Sequence, residues 1–329
     1  MTTRRQVVVT LGAGVLAMDA GFAQQPRKVW RIGLLQLGLK SYHVSAGFQN
    51  AFLQGMREHG LVLERDFIVE ERFAEGELAR LPVLAAELVR MRVDLILTGS
   101  TQANRAAQQA TSTIPIVIVV EADPVGNGFA VSLARPGKNM TGLSTLHGET
   151  IVKNLESLVL TVPRLSRIGL LKNPSNPGAK GQLATLQAAA QKVGVTVLAF
   201  DASDSAEIEV AIATMQRERV QAFVGLPDTI FSGQSELIAR LALKHRLPSS
   251  YVQATYPEKG GLMSYGQDLT GNWRRSAKFI DKIFKGAKPS DLPFEQPTVF
   301  EFVVNLNTAK ALGLKIPQSI LIQATKVIE

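Results

Sequence analysis

One pentapeptide, RIGLL, occurs twice in the chain, at residues 31–35 and again at 167–171. Each copy opens a series of apolar segments that alternate with segments of helical spacing. Continuous apolar runs are typical of strands buried on both faces, and strands separated by helices pair in parallel through right-handed crossovers. The repeat therefore predicts two similar α/β lobes in tandem. The alternative is one large sheet of about ten strands.

The two series predict the same order of elements. In the first, strands are predicted at 29–37, 67–73, 93–97 and 114–120, and helices at 46–58, 78–91 and 102–110. In the second, strands are predicted at 167–171, 195–200, 221–225 and from 247, and helices at 181–193, 205–217 and 234–245. A strand at 260–266, a helix at 272–285, a Pro-rich connector at 286–297, a strand at 298–304 and a helix at 308–312 follow. A segment after two complete lobes must pack on one of them or cross between them.

The N-terminus has the pattern of an export signal. Arg4 and Arg5 precede an apolar run at 7–18, and small residues then end at Ala23. Such a run is too short to span a bilayer, so we expect residues 1–23 to be a signal peptide and the mature protein to be periplasmic. Paired arginines are typical of the twin-arginine route, but Val7 stands where Phe is usual, so both export routes stay open. A buried N-terminal helix is the alternative.

Composition excludes several classes of function. The chain has no cysteine, which excludes disulfides, thiolate metal sites, cysteine nucleophiles and a lipid anchor on cysteine. We therefore expect a free protein and not a tethered one. The net charge is +8, but the basic residues are scattered, and an export signal stands where a regulator of this architecture would carry DNA-binding helices. We expect no nucleic-acid partner.

The motifs of common enzymes are absent from the sequence. The four histidines, His43, His59, His147 and His245, have no metal-binding spacing. The segment at 142–146 lacks the second glycine of a nucleophile elbow, and the Gly-Lys pair at 137–138 lacks the earlier glycine of a phosphate-binding loop. We expect no catalytic residues, no metal and no cofactor.

Several longer runs carry a family resemblance. They are FAEG at 73–76, LPVLAAELV at 81–89, TIPIV at 113–117, DPV at 123–125, RPGKNMTG at 135–142, NPSNP at 173–177, GGLMSYG at 260–266, KGAKP at 285–289 and NLNTAKALGL at 305–314. With these runs the chain resembles the family of ABC-transporter substrate-binding proteins whose characterised members take up tryptophan and related aromatic amino acids. The resemblance extends from the signal peptide to the last residue.

This resemblance implies the periplasmic type I binding fold, in which two flavodoxin-like lobes with parallel sheets are joined by three crossing segments. We assign residues 29–145 and 262–293 to lobe 1 and residues 146–261 and 294–329 to lobe 2. The implied function is to bind a small molecule, such as an amino acid or an aromatic or carboxylate compound, by hinge closure and to deliver it to an ABC permease. A receptor that presents its metabolite to a membrane signalling partner is the alternative. We expect a monomer, since each sheet is covered by its own helices.

Ligands of open parallel sheets bind beyond the carboxyl ends of the strands, so the candidate site residues follow the predicted strands. Gly99, Ser100 and Thr101 follow a buried strand and open a helix, where free N–H groups and hydroxyls suit a carboxylate. The simpler interpretation is that Ser100 or Thr101 only caps the helix.

The remaining candidates follow other strands of the two lobes. Four of them, Asn173, Asn176, Asp123 and Asp268, are equally well explained as turn or cap residues. Asp228 is placed to offer an opposite charge to a ligand ammonium, and a helix cap is its alternative role. Three tyrosines are candidates for a stacking wall, or else for the core: Tyr42, Tyr251 and Tyr265.

Overall fold

Two separate sheets organise the residues described by the computed structural model, which are 28–296 and 298–329. The sheets have five and seven strands, so the alternative of one ten-stranded sheet is wrong. The expected signal peptide at 1–23 lies outside the described residues. No helix among the described residues has the length and the apolar character of a membrane span.

The first sheet is entirely parallel and has the strand order β2-β1-β3-β4-β5. Its strands are β1 (Trp30–Gln36), β2 (Phe67–Phe73), β3 (Leu95–Thr98), β4 (Ile116–Ile118) and β5 (Met140–Gly142). The connecting helices are α1 (Lys40–Ser45), α2 (Phe48–Glu58), α3 (Leu81–Arg90, preceded by a 3-10 turn at Leu78–Arg80) and α4 (Thr101–Ala110). This order is that of a doubly wound flavodoxin-like lobe.

The second sheet has the order β12-β11-β10-β9-β8-β6-β7. Its strands are β6 (Arg167–Lys172), β7 (Thr196–Asp201), β8 (Ala222–Gly225), β9 (Ser249–Tyr251), β10 (Met263–Gln267), β11 (Phe300–Asn305) and β12 (Lys326–Ile328). The helices are α5 (His147–Thr161), α6 (Ala179–Lys192), α7 (Ser205–Arg217), α8 (Thr229–Gly233), α9 (Ser235–Lys244), α10 (Thr255–Glu258), α11 (Leu269–Phe284), α12 (Leu306–Leu312) and α13 (Gln318–Gln323). The pair β10–β11 is antiparallel and β12 is parallel to β11, so these last two strands run opposite to the rest of the sheet, an exception to the all-parallel expectation.

The apolar pattern of β1 explains how the first lobe packs. Ile32 and Leu35, which point to opposite faces of the sheet, are both fully buried. One face packs against α2 and α11, and the other against α3 and α4. Gly55 lets α2 approach α11 closely, because a Cβ at this position would lie 2.1 Å from the carbonyl oxygen of Arg274. The helix α11 therefore belongs to the first lobe although it follows a strand of the second.

The chain passes between the lobes three times: after β5, between β10 and α11, and before β11. The first and third of these crossing segments run side by side. The N–H of Ser144 donates to the carbonyl of Glu295 at 2.8 Å, and the N–H of Glu295 donates to the carbonyl of Gly142 at 2.9 Å. These bonds form the hinge region.

The expected lobe boundaries need correction in two places. The range 262–293 is expected in lobe 1, but β10 within it pairs with β9 and β11 of the second sheet. The range 294–329 is expected in lobe 2, but Phe294 packs in the core of the first lobe and Glu295 pairs with Leu143. The physical reason is that strand pairing and side-chain burial, which are non-local, decide the lobe of each segment.

Candidate ligand-binding site

A cleft lies between the carboxyl ends of the two sheets, and both lobes line it. Residues of the first lobe in the lining include Gly38, Tyr42, Gly99, Ser100, Thr101 and Trp273. Residues of the second lobe include Asn176, Gln182, Asp228, Thr229, Gln253 and Gln267. A solute in this cleft would contact both lobes at once.

The charge of the cleft is concentrated in one side chain. Asp228 is the only carboxylate among the described residues of the lining, which contains no Lys or Arg. It is 5% exposed and caps α8, accepting the N–H of Ile230 at 2.9 Å. The amides of Asn173 and Asn176 donate to its two oxygens at 3.3 and 3.0 Å. Burial nevertheless raises the pKa of Asp228, because desolvation outweighs these hydrogen bonds.

The N-terminus of α4 faces the cleft from the first lobe. Ser100 caps this helix, and its Oγ accepts the N–H of Ala103 at 3.3 Å. Gly99 is packed closely against the side chains of Gln36 and Trp273, since a Cβ there would lie 2.9 and 2.8 Å from them. The buried Nε2 of Gln36 has no hydrogen-bond partner in the described chain. An unpaired donor thus stands beside the positive end of a helix dipole.

Four glutamines of the lining share an unusual feature. Each has a buried amide atom without a hydrogen-bond partner among the described residues: Gln36, Gln102, Gln182 and Gln267. A buried polar atom left unpaired costs about 1–3 kcal/mol. Three of these atoms are donors and the fourth, on Gln182, is an acceptor. They come from both lobes and are suited to hydrogen-bond a bound solute or its water.

Aromatic side chains form one wall of the cleft. Trp273 of α11 is 3% exposed and stacks on Phe48, with ring centroids 5.8 Å apart. His43 contacts Trp273 edge to face at 4.7 Å and Phe73 at 5.5 Å. Burial lowers the pKa of His43 to about 4, so its imidazole is neutral at physiological pH. The wall is therefore uncharged and suited to an apolar or aromatic group.

Six of the eleven candidate residues from the sequence line the cleft: Tyr42, Gly99, Ser100, Thr101, Asn176 and Asp228. Ser100 and Asp228 each cap a helix, as the simpler interpretation had it, and each also lies in the lining. Whether these residues contact a ligand stays a prediction.

Three other polar candidates lie outside the lining. Asn173 is 1% exposed and contacts Asp228 from behind. Asp123 accepts the N–H of Gly126 at 2.7 Å within a turn, and Asp268 caps α11 through the N–H of Gly271 at 2.8 Å. The cap and turn interpretations thus describe Asp123 and Asp268, and Asn173 positions Asp228.

Two tyrosine candidates belong to the second lobe's own packing. Tyr251 is 1% exposed and stacks on Tyr256 at 4.1 Å, and burial raises its pKa far above the ordinary value. Tyr265 stacks on Phe300 at 5.8 Å. Both were expected at strand ends facing the cleft, but neither is in the lining, and both pack against the second lobe's own core clusters.

The candidate site residues did not include Gln36, His43, Gln267 or Trp273, all of which lie in the lining. Gln36 and Gln267 are the last residues of β1 and β10, and their segments were expected at the cleft because they follow strands, but no role was assigned to either side chain. His43 and Trp273 lie on helices, and no local pattern distinguishes their faces from the core.

The chain is similar to known proteins over most of its length. The family model of the ABC transporter substrate binding proteins matches residues 42–328. A tyrosine-binding protein of Clostridioides difficile is 25% identical over 267 residues, covering 81% of this chain and 76% of that protein. A crystal structure of a conserved domain protein from Vibrio cholerae superposes with a TM-score of 0.85 at 25% identity, covering 91% of this chain and all of the other.

An ABC domain in complex with L-Trp from Streptococcus pneumonia superposes with a TM-score of 0.83 at 26% identity, covering 92% of this chain and all of the other. The resemblance found in the sequence runs and the expected type I binding architecture are thereby confirmed. The chain belongs to the ABC transporter substrate binding protein family.

Proposed function

We propose that this protein is the periplasmic solute-binding component of an ABC importer, and that its solute is a zwitterionic amino acid with an aromatic or apolar side chain. The observation that carries the proposal is the arrangement of the cleft. One buried carboxylate faces it from the second lobe, a capped helix N-terminus faces it from the first, and an uncharged aromatic wall lies alongside.

Asp228 would bind the ammonium group of the solute. A lone carboxylate with no basic residue in the surrounding lining favours a cation over an anion. The amides of Asn173 and Asn176 hold both carboxylate oxygens in place. Because burial raises the pKa of Asp228, an ammonium beside it would stabilise the ionised form and gain a desolvated ion pair.

The α4 N-terminus would bind the carboxylate group. Without Lys or Arg in the lining, an anion must be bound by neutral donors, and backbone N–H groups at the start of a helix are such donors. The unpaired Nε2 of Gln36 next to Gly99 adds a donor in the same place. A solute with two carboxylates or a phosphate would carry more negative charge than these neutral donors can balance, next to the carboxylate of Asp228.

The aromatic wall would receive the side chain of the solute. Trp273, Phe48 and His43 are buried and neutral, so they favour an aromatic or apolar group over a charged one. Relatives named for binding tyrosine and L-Trp support this solute class. We also infer that the protein is a monomer, free in the periplasm after export, that it passes its solute to a permease, and that it does not transform it.

The test is calorimetry of residues 24–329 with matched ligands. L-tryptophan carries both charged groups, tryptamine lacks the carboxylate, and 3-indolepropionate lacks the ammonium. We expect L-tryptophan or L-tyrosine to bind more tightly than either truncated analogue. Asp228→Asn should weaken L-tryptophan binding by about 2 kcal/mol or more, roughly thirtyfold, while leaving 3-indolepropionate unaffected or improved.

The matched control is Asp123→Asn, whose carboxylate lies outside the lining and which should bind as the parent does. Equal binding of 3-indolepropionate and L-tryptophan would contradict recognition of the ammonium. Binding of another solute class instead would replace the amino-acid proposal and leave the family assignment intact. Recovery of the ligand unchanged after long incubation is expected, and any conversion would contradict a purely binding role.

A further inference from the structure

The two lobes touch at one rim of the cleft, between the start of α1 and the start of α8. Gly38 of the first lobe lies against Thr229 of the second, and a Cβ at position 38 would lie 2.5 Å from the Cγ2 of Thr229. Carbon atoms that are not bonded to each other prefer separations of about 3.5–4.0 Å. A side chain at position 38 would therefore force Thr229 or the two lobes to shift.

The backbone at this position does not itself require glycine. Gly38 is not among the residues with positive φ, so an alanine is compatible with its local conformation. The Cβ position also has no first-lobe atom among its three nearest neighbours, all of which belong to Thr229. The requirement for glycine at this position comes from the opposite lobe.

Two neighbouring contacts continue the same rim. The Cδ1 of Leu39 lies 3.4 Å from where a Cβ on Gly233 would stand, so a second glycine faces the first lobe here. The hydroxyl of Tyr42 donates to the Oε1 of Gln253 at 3.4 Å, and the same oxygen accepts the hydroxyl of Ser232 at 2.8 Å. We refer to Gly38, Leu39 and Tyr42 with Thr229, Gly233 and Gln253 as the rim contact.

We propose that the absence of a side chain at position 38 is what lets the two lobes close against Thr229, and that tight solute binding requires it. The inference rests on the proposed function. Gly38 acts as a positioning residue, since a larger residue would hold the lobes apart and lower the fraction of molecules that reach the binding-competent arrangement. The apparent affinity falls in proportion to that fraction.

The experiment measures lobe separation directly. The chain has no cysteine, so thiol-reactive spin labels attach only to cysteines that are introduced. We place one by Asn50→Cys in α2 and the other by Glu236→Cys in α9. Both parent residues are exposed. Electron–electron distance distributions are recorded without ligand and with L-tryptophan or L-tyrosine, in the parent, Gly38→Ala, Gly38→Val, Thr229→Ala and the double variant Gly38→Ala/Thr229→Ala.

We expect the short-distance population of the parent to fall severalfold in Gly38→Ala and further in Gly38→Val, with an apparent affinity about tenfold weaker or more. Thr229→Ala should keep the parent's distribution. The double variant should regain it, because the nearest remaining Thr229 atoms lie 3.8 Å or more from the new Cβ. Rescue separates the rim contact from a clash between the added methyl group and the solute, which removal of Thr229 Cγ2 would not relieve.

Three results would overturn the inference. The first is that both Gly38 variants keep the distance distribution of the parent. The second is that the double variant stays as open as Gly38→Ala. The third is that the parent never shows the short distance, with or without L-tryptophan or L-tyrosine. A parent that samples the short distance but binds neither amino acid would count against the proposed solute class alone. The distance distributions recorded without ligand would then still test whether a side chain at position 38 holds the lobes apart.

Discussion

The turn after β3 and the turn after β8 occupy the same place in the repeated series of the two lobes, yet they carry opposite chemistry. In the first lobe a serine hydroxyl, from Ser100, caps α4. In the second a carboxylate, from Asp228, caps α8. One turn leaves the positive end of a helix without a charged partner, and the other covers it with a negative charge. Two copies of one architecture can thus present complementary halves of a site for a zwitterion.

The largest expected effect concerns His43, whose ring lies in the cleft on the side of the first lobe and is neutral. His43 has a folded-state pKa of about 4, below its usual value, because burial disfavours the charged form. The unfolded chain therefore binds more protons than the folded chain between about pH 6.5 and 4, so stability falls as pH falls through that window. The loss from this one group reaches about 3 kcal/mol as an upper value.

Urea unfolding at a series of pH values measures this effect. His43→Gln should flatten the dependence of the unfolding free energy on pH between pH 6.5 and 4. His245→Gln is the matched control, because that ring is only partly buried and is bonded to Gln216. An equally steep pH dependence in the parent and in His43→Gln would show that the histidine is not kept neutral by its burial.

A second prediction concerns a variant in which the turn after β3 carries a carboxylate, as the turn after β8 does. Ser100→Asp keeps a good helix cap but adds a carboxylate where the solute carboxylate is expected. Like charges at close range should weaken L-tryptophan binding by about 2 kcal/mol, roughly thirtyfold, with little change in unfolding free energy. Tryptamine, which has no carboxylate, should lose no affinity. A uniform loss for both ligands would mean that Ser100 does not face the solute carboxylate.

The smallest expected effect distinguishes the role of Ser100 as a helix cap from a role in solute binding. Ser100→Ala should cost about 1 kcal/mol of unfolding free energy through the lost cap. Asp204→Ala, which removes the exposed cap of α7 away from the cleft, should cost a similar amount. Only the first change should also weaken L-tryptophan binding, as measured by calorimetry alongside urea unfolding. Equal affinities in the two variants would reduce Ser100 to a structural cap.

The elements that depend on local pattern were predictable. The strand at 67–73 and the helix at 205–217 have the predicted bounds, because apolar alternation fixes the first and Asp204 caps the second. The helix α5 was missed. Its apolar stripe of Ile151, Leu155 and Leu158 packs in the core of the second lobe, so a helical spacing was present in the sequence and was overlooked. Its inner face also carries Asn154, which accepts from Ser250 and Tyr265.

The candidate site was predictable only to the level of strand ends. Parallel topology placed Ser100 and Asp228 at the cleft, since both follow the carboxyl end of a buried strand. It did not give the direction of each side chain, and Tyr251 turned into the core where it stacks on Tyr256. It also did not give the pairing of β10 with the second sheet, or the packing of α11 on the first lobe that brings Trp273 to the cleft from a distant part of the chain.

The paired crossing segments have a consequence for how solute leaves. Rotation of one lobe about the long axis of the molecule would shear the hydrogen bonds that join Ser144 and Glu295, whereas a bend across them keeps the bonds intact. We therefore expect the lobes to separate by a bend about these paired segments and not by a twist. Under the proposed function, the solute would leave at the edge of the cleft opposite these segments, and a permease would need to drive this one motion only.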